Sequence, residues 1–223
     1  MNNMRAIITR PLVALSFALC ALAFVPDLTF AAPNCNLQRN LRNADLSGCN
    51  LKGANLKGAN LMGANLKGAN LMGADLTGAD LTGADLTSAD LTSADLTSAD
   101  LRATLPNANL TDADLSFARM SGANLTGADL TRANLGRTDL IDAELSRANL
   151  TGAYLRFANL TDANLTWANL RGADLYAANL INARLWGANF ADADLTDAFR
   201  RIGISRTDME GAEGLGTVKG LVD

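Results

Sequence analysis

The chain has 223 residues, enough for one or two ordinary domains, and its composition is unusual: no histidine, 5% aromatic residues, 48% hydrophobic residues and a formal net charge of −4. Without histidine it lacks the commonest general base and metal ligand, which argues against most hydrolases and metalloenzymes. The negative balance argues against direct nucleic-acid binding through phosphate contacts.

Residues 1–31 read as an export signal. Arg5 and Arg10 make a weakly basic start, the run from Pro11 to Val25 is apolar, and small Thr29 and Ala31 fit a cleavage site after Ala31. The apolar run is 15 residues long, short of the ~20 that cross a bilayer. Cleavage is the expectation and a retained anchor the alternative, with no stable membrane span left after cleavage. The destination is an oxidising compartment, a periplasm or a thylakoid lumen. Residues 32–38 then form an N-terminal cap, 39–198 the body, and 199–223 a C-terminal cap or dimerisation segment.

From Arg39 the chain repeats in pentads of the form A-[N/D]-L-x-x, as in Ala54-Asn55-Leu56-Lys57-Gly58. Central positions recur every five residues from Leu41 to Leu101 and, after a one-residue slip, from Leu105 to Leu195. Of these 32 centres 30 are Leu, with Met120 and Phe190 the substitutes; two residues earlier, all are Ala except Arg39, Cys49 and Thr138. A helix is excluded, because a step of five moves Leu around the cylinder without making a stripe. In an extended wall, by contrast, Ala and Leu share the inner face and the Asn or Asp between them points out. The last two residues of each pentad supply a turn. Walls joined by such turns coil, and stacked coils bury a continuous Leu core.

This pattern over residues 39–197 resembles the pentapeptide-repeat family. The resemblance implies an all-β fold, a right-handed quadrilateral β-helix with four pentads per coil and hence about eight coils. It does not imply an activity, because the family shares a scaffold and not a reaction. Family members that pair through their C-terminal ends make 199–223 a dimerisation surface as an alternative to a cap, and imply a homodimer through that end. The slip at Arg102-Ala103-Thr104-Leu105-Pro106 reads as a corner one residue short.

Residues about twenty apart stack on one wall. Phe117, Arg137 and Phe157 therefore fall in one column, Arg156 lies beneath Tyr176, and Arg147 lies under Trp167 with Trp186 in the next coil. Together with Tyr154 these aromatic and cationic residues form either stabilising cation–π ladders or a strip that anchors a protein partner. Asp75, Asp80, Asp85, Asp90, Asp95 and Asp100 form an acidic belt, with Asp75 over Asp95 and Asp80 over Asp100. It is a solvated surface, a weak divalent-cation site, or, by the family resemblance, a DNA mimic of the gyrase-binding, quinolone-protection type. Cys35 and Cys49 occupy small inward positions; export favours a disulfide between them, whereas register sets them at neighbouring corners and favours plain packing. No catalytic, cofactor or metal motif is visible. The expectation is a non-enzymatic exported scaffold for an unknown protein partner, with the gyrase-directed mimic as the alternative.

Overall fold

The computed structural model describes residues 40–198 and 211–220. In each pentad the residue before Leu makes a single parallel bridge to the equivalent residue one coil on, as in Asn60 with Asp80 and Asn70 with Asp90. The inward residues make the supporting bonds. The Leu61 N–H donates to the Asp80 carbonyl at 2.7 Å, and the Asp80 N–H donates back to the Ala59 carbonyl at 2.9 Å. A bridge spacing of 20 residues is four pentads, so the β-helix is four-sided. We number its walls by their first Leu: wall 1 from Leu41, wall 2 from Leu46, wall 3 from Leu51 and wall 4 from Leu56. The centres from Leu41 to Leu195 fill eight coils, a rod about 35–40 Å tall at the ~4.8 Å spacing of paired strands.

Each corner closes when the Ala N–H donates to the Leu carbonyl three residues back, for example Ala79 to Leu76 at 2.9 Å. The residue before that Ala is left-handed, the feature of a type II turn. Glycine meets this need in the lower coils, with Gly78 at φ 62°. Higher up the same place is held by Phe117 at 59°, Arg137 at 57°, Phe157 at 59° and Trp167 at 61°, a backbone that costs an L side chain ~1–2 kcal/mol. The outward Asn or Asp also closes the turn. The Asp75 carboxylate accepts the Thr77 N–H at 3.0 Å, and the Asn149 amide oxygen accepts the Thr151 N–H at 3.2 Å.

At the slip the Ala103 N–H donates to the Leu101 carbonyl at 2.7 Å, a three-residue turn in which the left-handed residue is the one missing. The ladder continues past it, with Asp85 bridged to Thr104 and Thr104 to Asn124. The core is a column of buried Leu and Ala that also swallows Met120 and Phe190. Thr138, at an Ala position, is equally buried and donates its hydroxyl to the Leu115 carbonyl at 2.8 Å. Among the described residues, no buried side-chain nitrogen or oxygen lacks a partner.

Cys49 is buried and disulfide-bonded, which corrects the register argument for plain packing. Both other cysteines, Cys20 and Cys35, lie outside the described residues. So do the export segment and the N-terminal cap. At the other end, residues 211–220 add a further layer to two walls. Glu213 bridges Asn189 on wall 3 and Lys219 bridges Asp194 on wall 4, while Ala212, Leu215 and Val218 pack on the core.

Candidate functional site

Two aromatic clusters stand on opposite walls. On wall 4, the Arg137 guanidinium lies 5.0 Å from the centre of the Phe157 ring and that of Arg156 lies 4.8 Å from the Tyr176 ring. Phe157 meets Tyr176 edge to face, with centroids 5.6 Å apart. Phe117 is 56% exposed and Tyr154 53%, large values for aromatic side chains in so regular a fold. Between them lies a shallow recess of about 560 Å³, floored by Gly136 and rimmed by Phe117, Arg137, Tyr154, Arg156 and Phe157.

The recess has a sequence cause. In Leu135-Gly136-Arg137 the usual order of long residue then glycine is reversed, so Arg137 takes the left-handed corner and Gly136 leaves a gap in the flat of the wall. Directly above, Tyr154 replaces the usual Asn or Asp and bridges Asn134 below it. Two further departures, Phe117 and Phe157, complete the rim.

On wall 2, Trp167 and Trp186 pack edge to face, with ring centres 4.5 Å apart. The expected stacking of Arg147 on Trp167 is not formed: among the described residues the cation–π contacts are the two on wall 4. Trp167 leans instead over Gly187, and Trp186 over Gly211. Trp186 takes the corner position next to the one Trp167 holds, so each indole fits over a glycine.

In the acidic belt Asp75 bridges Asp95 and Asp80 bridges Asp100, and the column Asp75, Asp95 continues to Asp114. It is not a bare row of charge. Lys67 binds Asp85 at 3.1 Å, and Asp100 is held by Arg102 at 2.8 Å and Arg119 at 3.6 Å. The Thr97 hydroxyl and N–H hold the Asp95 carboxyl below the usual range, and the Arg102 guanidinium does the same for Asp100. Asp90 binds its own Thr92, and Asp80 accepts the Thr82 N–H at 3.0 Å. Among the described residues no cluster of three His, Cys, Asp or Glu could hold a metal ion. Nor is any helix there long and apolar enough to cross a membrane.

Gly136 belongs to the wall 4 site with Phe117 and Arg137, yet residue type does not single out a glycine as part of a site. The signal that finds it is the reversed order Gly136-Arg137 within a run of three coils that depart from the pentad consensus.

The sequence model described as pentapeptide repeats matches residues 40–78, 69–105, 108–147, 138–175 and 173–199, and the chain belongs to this family. Among solved structures it is similar to HetL, a pentapeptide repeat protein involved in heterocyst differentiation regulation in the cyanobacterium Nostoc. The two are 35% identical over 70% of this chain and 83% of that one, with a TM-score of 0.49. It is also similar to Rfr23 from the cyanobacterium Cyanothece, at 44% identity over 40% of this chain and 62% of that one, TM-score 0.40. A pentapeptide repeat protein of the Arabidopsis thaliana thylakoid lumen is 32% identical over 52% of this chain and 72% of that one, TM-score 0.38. No curated protein sequence matches the chain.

Proposed function

We propose that this protein is a non-enzymatic, exported scaffold whose rigid walls present aromatic and arginine side chains to protein partners. One observation carries this reading. Phe117, Phe157 and Trp167 are exposed aromatics held at left-handed corners that glycine fills elsewhere in the same chain. Strain kept where a strain-free residue is available, on side chains suited to anchoring partners, points to recognition. Export is supported by the leader-like segment 1–31 and by the disulfide at Cys49, which suits an oxidising compartment. The gyrase-directed mimic is disfavoured, because Asp85 and Asp100 are already bound by basic residues of the same chain. A cap at the C-terminal end is supported by residues 211–220, which cover the last edges of walls 3 and 4.

Affinity capture from the exported fraction, read by mass spectrometry, tests this function. A protein captured by the wild type and lost with Trp167→Gly/Trp186→Thr or with Phe117→Gly supports it. N-terminal sequencing should find the mature chain starting at Ala32, and intact Met1 on cytosolic protein would overturn the export reading.

A further inference from the structure

Wall 4 changes character along its length. Its lower coils carry the carboxylate column Asp75, Asp95 and Asp114. The coils immediately above carry Arg137 and Arg156 with Tyr154 and Phe157; no carboxylate lines their recess, and Asp174, one coil higher, shares Arg156 at 3.5 Å. Phe117 stands where the two halves meet, in the same coil as Asp114. Such a face is self-complementary. A two-fold axis across the wall near Phe117, perpendicular to the rod, turns the acidic half of one copy onto the cationic half of another, and does so twice.

We propose that wall 4 is a homodimer face: two copies of the chain associate side by side and antiparallel, with Asp75 and Asp95 of each copy set against the other's arginine–aromatic recess and Phe117 close to Phe117 across the axis. This is an isologous contact, closed by symmetry. It rests on the reading of wall 4 as an interaction surface and names the occupant. Charge complementarity is the argument for a second copy: in a chain of net charge −4, the cationic recess has its match on the same wall. One wall is narrow, so the buried area falls in the weak class, with dissociation constants in roughly the micromolar range and marked weakening by salt. The pairing leaves Trp167 and Trp186 on the far walls of both copies, free for another partner.

Sedimentation equilibrium of the purified mature chain, over a concentration series at low and high salt, tests the pairing. The wild type should show a monomer–dimer equilibrium that weakens with salt. The variants Arg137→Asp/Arg156→Asp and Asp75→Lys/Asp95→Lys should each associate at least ~10-fold more weakly, because each sets like charges together. An equal mixture of the two should associate again, since both contacts become opposite-charged. Phe117→Gly should weaken association while its melting temperature holds or rises, because glycine suits that left-handed corner. A wild type monomeric to about 1 mM, association indifferent to these changes, or a mixture that stays monomeric would overturn the proposal. A monomeric wild type that still loses a captured protein on Phe117→Gly would overturn the dimer alone and leave the scaffold reading standing.

Discussion

The Trp167 and Trp186 indoles meet at 83°, centres 4.5 Å apart, and a Cβ on either underlying glycine, Gly187 or Gly211, would collide with them. The pair thus ties the seventh and eighth coils to the C-terminal segment. Trp186 nevertheless remains 56% exposed, so the contact leaves most of the side chain for other uses.

Replacing Trp167 by Gly and Trp186 by Thr gives each position a residue that other pentads carry there, as at Gly127 and Thr126, so the fold should survive. An edge-to-face pair is worth about 0.5–1.5 kcal/mol beyond burial, and relief of strain at Trp167 offsets part of that. The melting transition should therefore fall by no more than ~1 kcal/mol equivalent, while any partner bound through this wall should lose 2 kcal/mol or more. A large loss of stability with binding intact would assign the pair to structure.

The inward frame is tested at neighbouring residues. Leu125 is fully buried in mid-rod and Thr126 is part-exposed beside it. Leu125→Asp buries a charge among Leu side chains and should unfold the adjoining coils, a cost above about 4 kcal/mol. Thr126→Asp should stay within ~0.5 kcal/mol. Thermal denaturation followed by circular dichroism separates them.

Docking of residues 211–220 depends on glycine. Gly214 has φ 75°, and a Cβ there would come within 2.5 Å of the Ala191 backbone nitrogen. Backbone cannot yield as a side chain does. Gly214→Ala should release the segment at a cost of ~1–3 kcal/mol, seen as faster hydrogen exchange at Glu213 and Lys219, with the coils around Leu125 unchanged.

Corner strain predicts a stabilising change. Arg147 sits at φ 60° and is exposed, with the ordinary corner need for glycine. Arg147→Gly should raise stability by up to ~1 kcal/mol, the left-handed penalty less the added entropy of the unfolded chain. A lower melting temperature would show that the Arg147 side chain makes a stabilising contact.

The pH response follows from the belt. Burial pushes the Asp85 carboxyl up, but the Thr87 hydroxyl and N–H together with Lys67 outweigh it, and its folded value lies below the usual one. Asp95 and Asp100 are lowered as well. Groups lowered by folding add stability that is complete above the unfolded value, about pH 4, and is lost as pH falls through the folded values. With no histidine to titrate, the melting temperature should be flat between about pH 5 and 8 and drop below about pH 4. A step near pH 6 would contradict this.

The inward frame, the place of each outward residue and the stacking of coils are legible in the repeat alone. A five-residue period with Ala and Leu two apart allows one way to bury both, and every centre from Leu61 to Leu195 is indeed buried. It also placed Arg137 beside Phe157 and Arg156 beside Tyr176, because a fixed spacing of twenty converts number into position. The partner of each polar group was decided only in three dimensions. Whether Trp167 takes Arg147 or Trp186 depends on which way a ring turns at a left-handed corner, and Cys49 found a disulfide that the frame below Arg39 does not describe. The same holds for the recess over Gly136 and for the layer formed by residues 211–220. These depend on small departures from the repeat and on contacts between segments that share no period, and periodicity fixes only what recurs.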